Sequence, residues 1–166
     1  MPAPLTLVLG GARSGKSRHA EALIEAETAP WAYIATAQAW DGEMRDRIAI
    51  HRARRCEGWQ TLDAPLDLPA ALAIPHPALV DCLTLWLTNL MLGEHDIAAA
   101  TAALDAALDA RTAATVLVGN EVGLGIVPDN ALARRFRDEA GRLHQHLAAR
   151  AGTVLFMVAG LPMRVK

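Results

Sequence analysis

Short apolar runs alternate with amphipathic stretches along the whole chain. Residues 5–9, Leu-Thr-Leu-Val-Leu, form an apolar run of the kind that suits a strand covered on both faces. A helix-forming run over 17–27 follows and is broken at Ala29-Pro30. Residues 31–35, 59–62, 79–82, 115–118 and 153–158 read as further strands, and 161–166 as a candidate antiparallel edge strand. Helical periods lie between them. Residues 66–73 suggest a short helix and 83–92 an apolar one, while Ile97, Thr101, Leu104 and Leu108 mark an alanine-rich amphipathic helix. Leu132, Phe136, Ala140, Leu143 and Leu147 form one face of a long helix, with Asp129 as its expected cap. Another helix is expected to start at Asp41 as N-cap, and in it Met44, Ile48, His51 and Arg55 share one face. Strands alternating with helices predict a single α/β domain over residues 1–166, with a mostly parallel sheet. Right-handed crossovers then gather the strand-end loops at one edge.

At 166 residues the chain is long enough to bury a substantial core without disulfides or metals. Its formal net charge of −2 argues against a nucleic-acid partner bound through a broad basic surface. Arginines cluster only locally, over 45–55 and 134–142. Cys56 and Cys82 lack C-x-x-C spacing, which indicates neither a zinc site nor a disulfide framework, and suits reduced thiols in a cytosol. The longest apolar stretch, 78–92, is interrupted by Asp81 and Asn89 and is too short to cross a bilayer. No basic, then apolar, leader pattern precedes the first strand. A soluble cytoplasmic protein without membrane insertion is expected.

The chemistry centres on Gly10-Gly11-Ala12-Arg13-Ser14-Gly15-Lys16-Ser17, a G-x-x-x-x-G-K-S stretch set between the first strand and the first helix. In that context it is a phosphate-binding P-loop: backbone N–H groups cradle phosphates, Lys16 reaches the terminal ones, and the Ser17 hydroxyl holds Mg²⁺. The helix begins where the phosphates would lie, with its unpaired N–H groups facing them. Asp81, closing a buried strand, suits the second Mg²⁺-site carboxylate of such proteins, or alternatively an N-cap for the helix that follows. Thr36, Ala37 and Gln38 form a polar loop at a strand end, where open α/β sheets place ligand contacts.

A P-loop does not by itself choose a reaction. The length disfavours a motor, and the lack of an evident base-specificity loop disfavours a switch, which leaves a small-molecule phosphotransferase as the default. His51 adds a second possibility. Its imidazole is a competent nucleophile toward phosphorus, and Arg47, Arg52, Arg54 and Arg55 surround it in sequence. The plainer reading is a solvated histidine on a basic helix. His19, His76, His95, His144 and His146 have no such setting and read as surface residues. Glu121, in a glycine-rich loop, would orient a substrate hydroxyl or cap nearby N–H groups.

Several stretches together resemble one family. Gly10 to Glu21, Tyr33-Ile34-Ala35-Thr36-Ala37, then Asp41, Glu43-Met44, Arg47-Ile48, His51 and Arg55 are similar to the bifunctional adenosylcobinamide kinase / adenosylcobinamide-phosphate guanylyltransferase of cobalamin synthesis. Trp59, Thr61, Asp81-Cys82-Leu83-Thr84, Thr88-Asn89, Asn120-Glu121-Val122-Gly123, Gly125 and Val127-Pro128 extend the likeness, which ends with Leu132-Ala133-Arg134, Phe136-Arg137-Asp138 and Ala140-Gly141-Arg142. The resemblance implies a P-loop NTPase-type fold and two reactions. ATP or GTP phosphorylates the aminopropanol hydroxyl of adenosylcobinamide. GMP from GTP then passes through a guanylylated histidine, here His51, to give adenosylcobinamide-GDP. It further implies nucleotide contacts from the P-loop, Ala35 to Ala37, Arg52, Ala53, Arg54 and Arg55, acidic nucleotide- or metal-site residues at Asp63 and Asp81, and a homotrimer. Asp63 stands where the family pattern suggests a longer glutamate. The alternatives are a kinase with His51 inert, and a non-enzymatic module that senses GTP.

Overall fold

Apolar runs that bury both faces must lie inside a layered sheet. In the computed structural model, which describes residues 3–38, 42–53 and 55–166 (backbone only for Glu43, Met44, Arg47 and His51), they do so. The strands are β1 (Leu5–Gly10), β2 (Trp31–Ala35), β3 (Trp59–Asp63), β4 (Ala78–Asp81), β5 (Thr115–Asn120), β6 (Thr153–Val158) and β7 (Leu161–Arg164). They form a seven-stranded sheet in the order β3-β2-β4-β5-β1-β6-β7. Neighbours are parallel except β6 and β7, whose antiparallel pairing makes the predicted C-terminal edge.

The helices are α1 (Lys16–Glu25), α2 (Gly42–Ala53), α3 (Leu68–Ala71), α4 (Leu83–Leu92), α5 (Ile97–Asp109) and α6 (Ala131–Arg150). Successive strand residues point to opposite faces, so each strand feeds two cores. Leu7, Ile34, Val80 and Leu117 pack with Leu68, Trp86, Leu104 and Leu147 on the face covered by α3 to α6. Val8, Tyr33, Leu79 and Val118 pack with Ala20 and Ile24 of α1 on the other.

Local structure differs from the sequence expectation at three helices. Asn130, not Asp129, caps α6, its side chain accepting the Ala133 N–H at 2.8 Å. Cys82 caps α4 through its sulfur, 3.5 Å from the Leu85 nitrogen, which releases Asp81 from the capping alternative. Asp67 caps α3, which starts at Leu68 and spans four residues rather than 66–73. The expected cap Asp41 lies outside the described residues.

Histidine burial also differs. His95 and His146 are exposed and His19 and His76 half-buried, but His144 is buried, contrary to its surface assignment. Its ring packs over Gly119 of β5, where a Cβ would stand only 2.7 Å from Nε2. The pattern of α6 places position 144 beside the apolar Leu143 and Leu147, and only the missing side chain of Gly119 makes room for an imidazole. Burial holds that imidazole below the ordinary histidine range, with the Glu121 carboxylate pulling in the opposite sense.

The buried charge of Arg111 organises the end of the molecule opposite the strand-end loops. Nη1 donates to the carbonyls of Leu72 (2.7 Å) and Ile74 (2.9 Å), and Nη2 to that of His76 (2.6 Å). Nε donates to Thr115 Oγ1, so one guanidinium ties the connection before β4 to the start of β5.

Two outcomes are expected from this packing. Arg111→Met leaves those buried carbonyls unpaired and should lower the unfolding free energy by about 2–4 kcal/mol in urea titrations; an unchanged midpoint would mean that the carbonyls find other donors. For His144, a folded pKa below the unfolded value gives stability that is complete above about pH 6.5 and is lost as pH falls through that range. The fall in urea midpoint between about pH 7 and pH 5 should therefore be smaller in His144→Gln than in the parent protein.

Candidate functional site

Parallel register brings Gly10 opposite Asn120, and Ala35 opposite Asp81, at the carboxyl edge of the sheet. The P-loop leaves β1 at this edge. Gly15 takes φ +89°, a conformation costly for any side chain, and a Cβ there would lie 3.1 Å from Gly160 Cα. It stands at the N-cap of α1 without a side-chain cap, so the first-turn N–H groups of the helix are left for a ligand. The turn between β6 and β7 backs the loop, the Gly160 N–H donating to the Ser14 carbonyl at 2.9 Å. Lys16 Nζ donates to the Gly11 carbonyl at 2.9 Å, which folds the ammonium over the loop.

A cavity of about 920 Å³ opens in front of this loop. Ala12, Arg13, Ser14, Gly15, Lys16 and Ser17 form its floor. Ala35, Ala37 and Asp81 come from the strand ends, and Arg52 and Arg55 from the basic segment. These are expected site residues brought together. Gly10 and Gly11 do not line it. Gly10 ends β1 where a Cβ would meet Ser14 Oγ at 2.5 Å, and Gly11 supplies the carbonyl that holds Lys16.

Thr36 is fully buried beneath the cavity. Its hydroxyl donates to the Cys82 carbonyl at 2.6 Å and accepts the Cys82 N–H at 2.8 Å, bracing the end of β2 against that of β4. Asp63 stands apart, with its oxygens 2.8 and 3.0 Å from Arg52 Nη2, beside a second hollow of about 490 Å³. Ala53 is exposed and does not line the cavity. Arg54 and the side chain of His51 lie outside the described residues. The backbone of α2 carries position 51 between Ile48 and Arg52, both of which line the cavity.

Sequence reasoning assigned no role to Tyr33, the hub of the cavity wall. Its hydroxyl donates to Asp81 Oδ2 at 2.7 Å, and the Arg55 guanidinium lies 3.6 Å from its ring centroid. Arg55 Nη2 donates to Thr61 Oγ1 at 3.2 Å, while Nη1 is buried without a hydrogen-bond partner among the described residues. Burial, reinforced by the Asp81 charge, pushes the Tyr33 phenol far above its ordinary range, so it remains a neutral donor. Burial and then Asp81 push the Cys82 thiol up to about 11, which leaves it a neutral cap and not a nucleophile. Two signals in the sequence point to Tyr33: its place two residues before Ala35, on the same face of β2, and its membership of the stretch 33–37 that carries the family resemblance. Glu21, Leu85 and Asn120 also line the cavity unannounced.

Among the described residues, no group of three or more His, Cys, Asp or Glu could hold a metal ion alone. Ser17 and Asp81 instead bring hard oxygens to the same cavity, a donor set that suits Mg²⁺ completed by phosphate and water. Tyr33→Phe keeps the ring under Arg55 and removes only the bond to Asp81. A loss of about 1 kcal/mol, roughly fivefold, in Mg²⁺–nucleotide affinity is expected by calorimetry, and an unchanged affinity would show that Asp81 needs no support from Tyr33.

Comparison with known proteins accords with this geometry. The family model for cobinamide kinase / cobinamide phosphate guanyltransferase matches residues 6–165. The bifunctional adenosylcobalamin biosynthesis protein CobP of Pseudomonas aeruginosa is 53% identical over 172 residues, 96% of this chain and 96% of its own length. The bifunctional adenosylcobalamin biosynthesis proteins CobU of Salmonella typhimurium and Escherichia coli are 45% and 43% identical over 181 residues, covering 98% of this chain and 99% of theirs. The likeness thus takes in the P-loop, the basic helix α2 and the loop after β5 together, far more than the element common to nucleotide-binding proteins, and the chain belongs to the cobinamide kinase / cobinamide phosphate guanylyltransferase family.

Proposed function

We propose that the single domain of residues 1–166 carries out two successive reactions in one cleft, as a step in adenosylcobalamin synthesis. ATP or GTP first phosphorylates the aminopropanol hydroxyl of adenosylcobinamide. GMP from GTP is then transferred through His51 to that phosphate, giving adenosylcobinamide-GDP. The observation that carries this reading is the shared cavity: Lys16 and Ser17 of the P-loop face Ile48 and Arg52 of α2 and Arg55 just beyond it. A cradle for a triphosphate and a basic helix with a histidine between its cavity-lining positions suit both transfers.

In the first step the substrate hydroxyl oxygen attacks the γ-phosphorus, the bond to the bridging oxygen breaks, and the hydroxyl proton is released. Lys16 and the first-turn N–H groups of α1 offset the charge on the departing diphosphate. In the second, an imidazole nitrogen of His51 attacks the α-phosphorus of GTP. A P–N bond forms, pyrophosphate leaves, and the proton on the other nitrogen passes to solvent. A phosphate oxygen of the phosphorylated corrinoid then displaces the imidazole, which regains a proton. Arg55, whose guanidinium lies 3.6 Å from the Tyr33 ring centroid with Nη1 lacking a hydrogen-bond partner among the described residues, suits neutralisation of phosphate charge in either step. The exposed Arg52–Asp63 pair contributes about 1 kcal/mol at most, so each partner can turn to the nucleotide. Mg²⁺ on Ser17 and Asp81 would supply further neutralisation of the phosphates.

The reading extends to a homotrimer in the cytoplasm. Among the described residues no helix is long and apolar enough to cross a membrane. Intact mass after incubation with GTP and Mg²⁺, wild type beside His51→Ala, tests the covalent step. An acid-labile GMP adduct on the wild type alone is the expected result. With no adduct on either, a kinase without guanylyl transfer or a GTP-sensing module would remain; an adduct on both would move the nucleophile elsewhere.

A further inference from the structure

The loop between β5 and α6 breaks the usual rule for apolar side chains. Val122, Leu124, Ile126 and Val127 fall within six residues, and Leu124 is 81% and Ile126 97% exposed. Leu132, in the first turn of α6, is exposed as well. Single exposed leucines are ordinary, but a cluster of this kind marks a ligand or partner surface. A Cβ added at Gly125 would meet nothing within 4 Å, so the loop stands open there.

Its anchoring ties this surface to the cleft. Asn120 lines the cavity, and its N–H donates to Thr84 Oγ1 at 2.7 Å. The Glu121 N–H donates to the Gly10 carbonyl at the mouth of the P-loop at 2.9 Å. Chain length alone then keeps Leu124 within about 14 Å and Ile126 within about 21 Å of Asn120, whatever path the loop takes. The cavity, at about 920 Å³ with a charged floor, is sized and lined for a nucleotide. A corrinoid must reach that floor with only its aminopropanol arm, and its wide macrocycle, with methyl-bearing faces and amide edges, has to rest on the rim.

We propose that the loop of residues 122–127 is the platform for the corrinoid macrocycle, with Leu124 and Ile126 as its main contacts. This rests on the reading of the cleft as the site of both transfers. The apolar side chains take the face of the ring, and the proximity of Asn120 and Glu121 to the P-loop sets the arm toward the bound phosphates. Because both side chains are exposed, polar substitution there leaves the core intact.

The test compares wild type with Leu124→Ser, Ile126→Ser and the double variant. Equilibrium dialysis of adenosylcobinamide, read by its visible absorption, should show Kd rising about tenfold for each side chain removed. The GMP adduct formed from GTP needs no corrinoid and should be unchanged in all variants, as should the mass by light scattering. Unaltered corrinoid binding would overturn the proposal. So would a fall in molecular mass, since the surface would then join copies of this chain. An adduct missing from the wild type would refute the His51 reading and leave the dialysis result to decide the platform by itself.

Discussion

Parallel strands end together, and the pairing of β1 with β5, of β5 with β4 and of β4 with β2 sets where Gly10, Asn120, Asp81 and Ala35 stand. Nothing in the cleft could be moved one residue along without turning side chains to the wrong face of the sheet. The two cores enforce that register, because the central strands bury leucines and valines on both sides at once. The P-loop is the part of this edge with least freedom. Ser14 fills the space beside Gly10, and Gly15 passes close to Gly160, so the fold of β6 and β7 is felt at the phosphate site.

Two arginines show how one side chain serves different ends. Arg111 is buried with its donors directed mainly at carbonyls, and burial lowers its pKa, as expected for a guanidinium held by neutral acceptors. It is a structural clamp. The Arg55 guanidinium lies 3.6 Å from the Tyr33 ring centroid, donates from one nitrogen to Thr61 and leaves another without a hydrogen-bond partner among the described residues at a cavity wall. An unsatisfied buried donor is costly in a resting protein and advantageous where a phosphate is to arrive. Tyr33 joins this donor to the carboxylate of Asp81, linking the end of the basic segment to the strand that closes the cleft.

Both activities of the family ask for one physical thing: charge stabilisation on a diphosphate or pyrophosphate as it departs. A single P-loop serves for either, and the difference lies in which phosphorus is attacked and by what. The apolar loop after β5 lies outside this charged interior, which is consistent with a substrate that is a small alcohol at one end and a broad macrocycle at the other.

The P-loop, the alternation of strand and helix, and the antiparallel C-terminal edge were legible in the residues, because each is written in contiguous spacing: glycines at fixed offsets, periods of two and of 3.6. Resemblance along the chain added the family, and it favoured the nucleophile over the solvated histidine as the reading of His51. Other features came only with tertiary structure. Tyr33 reaches Asp81 across 48 residues of sequence, and Thr36 reaches Cys82 across 46. The burial of His144 follows from the missing side chain of Gly119 on a different element. The cap of α4 is Cys82 and not Asp81, for which capping was the alternative reading, and the carboxylate stays at the cavity. A sequence specifies local backbone preference and which faces are apolar; which polar groups meet is decided when those faces close, because hydrogen bonds between distant residues have no period to read.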